Sequence, residues 1–166
     1  MSRPVSRGLL WLLILNLGIA FGAGLYESRI VFPGWLTSSP ETGYHWSAEA
    51  ARADNTGLRF WIYVTTGPLT LITLANLVAA WRHRGKARPW WVGSSVAALA
   101  DRAFTFSYFV PTMLALMGNE MLPGEAVETA RQWESLNYLR HAIVLVAWLL
   151  ALKAFAVFNR EGRLLA

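Results

Sequence analysis

Phe60–Trp81, FWIYVTTGPLTLITLANLVAAW, runs for twenty-two residues without a charged side chain and ends on Arg82-His83-Arg84. A helix needs roughly 20 apolar residues to cross ~30 Å of hydrocarbon at 1.5 Å per residue, so the stretch reads as a membrane span. The same test, applied outward in both directions, finds three more. Gly8–Tyr26 is equally free of charge, whereas Trp90–Gly118 contains Asp101 and Arg102, and Leu139–Phe158 contains Arg140, His141 and Lys153. The expected fold is all-α: one integral membrane four-helix bundle over residues 1–166, with spans of about 8–26, 60–81, 90–118 and 139–158.

Composition agrees. Of the 166 residues 55% are apolar and 15% charged, with a mean hydropathy of +0.35, more apolar surface than a soluble core of this size uses. The net charge of +5 does not point to nucleic acid, because the basic residues sit in short segments between apolar runs. Arg3 and Arg7 precede the first span, Arg82, Arg84, Lys86 and Arg88 fill the second connection, and Arg160 and Arg163 follow the last span. Short loops held in the cytoplasm carry such an excess, which puts both termini in the cytoplasm of a multi-pass protein of bacterial inner-membrane type. The connections Glu27–Arg59 and Asn119–Tyr138 mix acidic residues with scattered arginines and are expected outside. Trp61, Trp81, Trp90 and Trp91 mark span ends at the headgroup layer. Gly18-Ile19-Ala20 offers a rival reading of the first span as a cleaved signal peptide, but the apolar run continues to Tyr26 and Gly18 with Gly22 makes a small-residue packing face. Cysteine is absent, so disulfide, thiolate and iron–sulfur chemistry are excluded.

Steps of three and four return to one helix face. In the second span Arg59, Tyr63, Thr66, Thr70 and Thr73 follow that spacing, with Asn76 one step on; in the third, Ser94, Ala98, Asp101, Thr105, Tyr108 and Thr112 do the same. Such stripes hydrogen-bond neighbouring helices or line a cavity. Asp101 and Arg102 carry charge near the middle of a span and are expected to face inward with partners; Lys153 is a candidate partner for Asp101, or else it snorkels to the cytoplasmic surface and leaves Asp101 to Arg102 or another donor. Pro68 and Pro111 remove backbone hydrogen bonds and predict kinks that open room between helices. The apolar, turn-forming Val31–Leu36 stretch is expected to rest on the outer membrane surface.

A second group, Glu27, Arg59, Arg140 and His141, falls at similar depth near the outer span ends. A carboxylate, two guanidiniums and an imidazole suit an anionic or phenolic ligand, with His141 or Glu27 moving a proton; Tyr63 and Tyr108 lie in the same half. His45 in the first connection is placed to cap that pocket. Met113, Met117 and Met121 recur every four residues, a pattern that fits a thioether Cu(I) site but more often fills core gaps. No motif identifies a cofactor.

Trp133-x-x-x-Asn137-x-x-Arg140, at the start of the last span, resembles the corresponding signature of the anthrone-oxygenase-like family of small four-helix membrane proteins. Weaker similarity extends to Gly24-Leu25-Tyr26-Glu27, to Gly67-Pro68 and to Pro111 and Asn119. The resemblance implies that Trp133, Asn137 and Arg140 face the interior and bind substrate, and that the activity is a dioxygen-dependent oxidation of a phenolic polyketide. The leading expectation is thus an oxygenase-like oxidoreductase or small-molecule binder in which Arg140 and Arg59 hold an oxygen. Its partners are the bilayer, a small hydrophobic ligand and further copies of itself. The alternatives are a non-enzymatic membrane subunit or assembly factor, and a transporter or proton pathway through Asp101, Arg102 and Lys153.

Overall fold

The structure, a computed structural model, describes residues 2–41, 43–118 and 120–163, so the reading at Asn119 lies outside the described residues. The chain is mostly helical. α1 (Arg3–Tyr26) passes through a π-helical turn (Glu27–Val31) into α2 (Phe32–Trp35); after a hairpin and α3 (Ala48–Asp54), a π-helical stretch (Gly57–Thr66) runs into α4 (Gly67–Arg82). α5 (Arg88–Phe104) continues through a π-helical turn (Thr105–Phe109) into α6 (Val110–Met117), and α7 (Pro123–Arg163) completes the chain. α5 packs against α4 and α7, and α1 against the same two.

Three of these rods are long and apolar enough to cross a membrane: Arg3–Trp35, Gly57–Arg82 and Pro123–Arg163. The third expected span, 90–118, is helical through Met117, but Asp101, Arg102 and a run of hydroxyl residues keep it less apolar than the other three. α7 starts sixteen residues before the expected boundary at Leu139 and spans 41 residues, about 60 Å at 1.5 Å per residue. That is twice the hydrocarbon thickness, so much of Asn119–Tyr138, read as a connection, is helix.

The all-α expectation needs one correction. β1 (Leu36–Ser39) and β2 (Gly43–Trp46) form an antiparallel hairpin with Leu36 opposite Trp46, and Gly43 adopts φ +71°, which favours glycine. A second correction concerns Val31–Leu36. Rather than resting on a membrane surface, Phe32, Trp35 and Leu36 are buried with Trp46, Phe109 and Trp133 in an aromatic layer. The Phe32 and Trp133 rings stack at 5.3 Å between centroids and 8° between planes. Trp46 Nε1 donates to Leu116 O at 2.8 Å, Trp133 Nε1 to Phe109 O at 3.2 Å and Trp35 Nε1 to Asp54 Oδ2 at 2.7 Å. Each indole thereby buries its rings and satisfies its one polar atom. This is the hairpin end.

At the opposite, basic end, Arg3 Nη2 donates to Phe158 O at 2.9 Å and His83 Nε2 lies 3.3 Å from Glu161 Oε2, which places the N-terminus, the 83–87 connection and the end of α7 side by side. Small residues allow close packing just above: Ala80, Ala98, Ala147, Ala151 and Ala154 are all fully buried. Asn76 ties three elements, its Nδ2 donating to Leu9 O (3.0 Å) and Ile72 O (2.8 Å) and its Oδ1 accepting from Trp91 Nε1 at 2.8 Å.

The π-helical stretches share a cause. Each is followed at the second position of the next α segment by proline: Pro33 after Val31, Pro68 after Thr66, Pro111 after Phe109. A proline ring collides with the carbonyl four residues back and supplies no N–H; widening the turn to i→i+5 bonding relieves both. The carbonyl four residues before Pro68 belongs to Val64, and it accepts instead from Asn16 Nδ2 on α1 at 2.9 Å. The expected kinks are thus realised as local changes of winding.

Candidate functional site

All three π-helical stretches border one cavity of about 340 Å³ at the hairpin end. Its polar wall is made by Glu27 from the first stretch, Trp61 and Thr65 from the second, Arg102 from α5, Thr105 at the start of the third stretch, and Arg140 from α7. Phe109 and Trp133 close it toward the aromatic layer, and Met113 and Met117 line it on the α6 side.

Geometry follows from antiparallel packing of α5 on α7. Ser94 Oγ donates to Ala147 O at 2.8 Å, and that register sets Asp101, two turns further along α5, across from Arg140, two turns back along α7. Asp101 is fully buried, and its Oδ2 accepts from Arg102 Nε at 3.0 Å and also from Arg102 Nη2. Its Oδ1 lies 3.6 Å from Arg140 Nε, neither atom having a hydrogen-bond partner. The Arg140 guanidinium also sits 4.7 Å from the Phe109 ring centroid and 5.9 Å from that of Trp61, a cation–π contact that strengthens away from water. Glu27 Oε1 accepts from Thr56 Oγ1 at 2.5 Å and from Trp61 Nε1 at 2.8 Å. The wall therefore presents a carboxylate and two guanidiniums, with Asp101 as counter-ion behind them.

Several expected site residues stand elsewhere. Lys153 is not the partner of Asp101; it is exposed at the basic end, its Nζ 5.6 Å from the Trp90 ring, and Arg102 and Arg140 take the place assigned to it. Tyr63 is 74% exposed and Arg59 is exposed, so neither reaches the cavity. The polar stripe in that span assumed α winding throughout. Through Gly57–Thr66 each turn takes up more residues, so Trp61 and Thr65 turn inward while Tyr63 and Arg59 turn out.

His141 is buried but does not line the cavity. It faces α1, so close to Gly24 that a Cβ there would lie 2.5 Å from Nε2, and both ring nitrogens lack a hydrogen-bond partner. Asn137 is likewise behind the wall, its Nδ2 donating to Ser28 Oγ at 3.2 Å. Tyr108 packs its ring on Phe104 and Phe109, with its hydroxyl buried and unpartnered. Of the Trp133, Asn137 and Arg140 set, all three are buried and the first and last line the cavity. His45 is exposed on β2, and Met121 packs on the aromatic layer. No three histidine, aspartate or glutamate side chains gather as metal ligands among the described residues. The sequence reading missed Thr56 and Phe109, and took Trp61 only as a boundary marker. Compared with family models, curated proteins and solved structures, the chain gives no match in any of the three.

Proposed function

We propose that the chain is a multi-pass membrane protein of bacterial inner-membrane type, a four-helix bundle with both termini in the cytoplasm, that binds a small lipophilic molecule between Glu27 and Arg140. The observation that carries this reading is the placement of a carboxylate and a guanidinium on the walls of one cavity, reached by three locally rewound helices. Such rewinding is concentrated at functional sites, and the cavity falls in the size range of ligand pockets, ~300–1,000 Å³. The gathering of Arg3, Arg7, Arg84, Lys86 and Arg163 near one end supports the orientation.

Chemically, a ligand hydroxyl set between the two groups donates to the Glu27 carboxylate while its oxygen accepts from Arg140. Transfer of that proton breaks the ligand O–H bond, forms an O–H bond on Glu27 and leaves an oxyanion facing the guanidinium, with no change in net charge. A phenolate is easier to oxidise than its phenol, so the step fits the oxygenase-like oxidation by dioxygen that the resemblance implies. The test is thermal unfolding of the purified protein in mild detergent with and without a hydroxyanthrone, with its absorption spectrum and metal content recorded alongside. A ligand-dependent rise in melting temperature that disappears in Glu27→Gln and in Arg140→Gln is expected. The same rise in both variants, or none in the wild type, overturns the reading. A periplasmic reporter active when fused after Ala166 overturns the topology.

A further inference from the structure

The cavity is closed toward the hairpin end and open on the flank. Above it lie Phe109, Leu116 and Trp133, each at most 5% exposed, with Phe32 stacked on Trp133 and Trp35 and Trp46 packed against Phe32. The hairpin seals this layer, because Trp46 of β2 bonds Leu116 O and Leu36 of β1 is buried beside it. The other rim is different. Leu58 and Ile62 from one π-helical stretch, and Phe106, Val110 and Leu114 from the opposite wall, line the cavity yet are 40–62% exposed. Every one of these rim side chains is apolar. Behind that rim the charges balance once Asp101, the counter-ion behind the wall, is included: Glu27 and Asp101 against Arg102 and Arg140 give a formal sum of zero.

We propose that the ligand enters sideways from the bilayer between Gly57–Thr66 and Thr105–Met117, and that it is an amphiphile with a neutral, hydroxyl-bearing head and a long apolar tail. This rests on the binding function proposed above and adds its route and its substrate class. Apolar exposed side chains at the mouth cost nothing against lipid and would have to be dehydrated for a polar solute arriving from water. A cavity near the small end of the ligand range holds a ring-sized head, and the tail stays between the two rewound helices in hydrocarbon. Zero formal charge over the wall and its counter-ion together, with both guanidiniums already facing Asp101, selects against a permanently anionic head, which would be buried without a counter-charge of its own.

The experiment uses the full chain in lipid nanodiscs and a long-chain alkylphenol bearing a photoactivatable group in its tail, with crosslinks mapped by mass spectrometry. Competition is measured with the unlabelled alkylphenol, with phenol itself and with the sulfate ester of the alkylphenol. Crosslinks on Phe106, Val110 or Leu114 are expected, with competition by the alkylphenol but not by phenol or the ester at equal concentration. Leu114→Trp, which fills the mouth from an exposed position, lowers labelling about ten-fold, a free-energy change of about 1.4 kcal/mol. Leu71→Trp, equally exposed but away from the cavity, leaves labelling unchanged. Lateral entry is overturned if phenol competes as well as the alkylphenol and Leu114→Trp has no effect; the neutral head is overturned if the ester competes equally. If labelling anywhere on the chain is not competed by the unlabelled alkylphenol and is the same in Glu27→Gln and Arg140→Gln, the binding function itself falls.

Discussion

Toward the basic end, α1, α4, α5 and α7 meet through alanines and leucines with uninterrupted α winding, whereas toward the hairpin end three of the four rods are rewound and Glu27, Asp101, Arg102 and, from the continuous α7, Arg140 lie inside. The polar atoms differ in kind as well. In the tight half Asn76 and Ser94 are paired to backbone and indole, and among the described residues the hydroxyls of Thr73 and Ser95 and the indole N–H of Trp148 lack a partner. In the rewound half the unpartnered atoms belong to Asp101, Arg140, Asn137, His141 and Tyr108. One half holds the helices in register; the other keeps donors and acceptors desolvated but unspent, a state that stays folded only because the first half is secure.

The contrast breaks most easily at Asp101. Replacing it by alanine leaves two buried guanidiniums without their counter-ion and should lower stability by ~3–5 kcal/mol, read as a fall in the unfolding midpoint in detergent with loss of expression. Gly24→Ala probes the same half from behind the wall. Its Cβ would meet the His141 ring, for an expected loss of ~1–3 kcal/mol, and His141→Ala in the same chain should recover most of it in a double-mutant cycle. A change that His141→Ala does not rescue would mean that the glycine serves the backbone instead. In the tight half, Asn76→Ala leaves the Trp91 indole N–H buried and unsatisfied, with an expected loss of ~1–3 kcal/mol and no change in ligand binding. If binding falls as well, the two halves are not separable. Last, Lys153→Met should leave the unfolding midpoint unchanged, because the side chain is exposed and far from Asp101; a loss comparable to that of Asp101→Ala would restore it as the counter-charge.

What the sequence disclosed follows the same division. Span centres came from hydropathy, and the inward face of α5 from its spacing through Ser94, Ala98, Asp101 and Thr105, because α winding holds there. The spacing failed for Tyr63 and Arg59, where winding changes, although Pro68 stood two residues beyond the change as a visible cause. The partner of Asp101 stayed open between Lys153 and Arg102 or another donor because a helix–helix register is set by contacts such as Ser94 with Ala147, which no single-chain pattern displays. From Arg140 to Lys153 is about 20 Å along a helix, so the register alone decides between them. The hairpin went unread because each strand has four residues, too few for alternation to rise above noise. The early start of α7 was hidden by its amphipathic, charged first third, which hydropathy scores as a loop.

α7 has a mechanical consequence. One unbroken helix carries Trp133 in the roof of the cavity, Arg140 in its wall, the alanine face that seats α1 and α5, and Glu161, which bonds His83 and the backbone N–H of Lys86 at the far end. A continuous helix pivoting on that alanine face moves its two tips together and in opposite directions. Lifting the roof therefore loads the Glu161 clasp, and whatever loosens the clasp at the basic end is felt at the tryptophan ceiling about eight turns away.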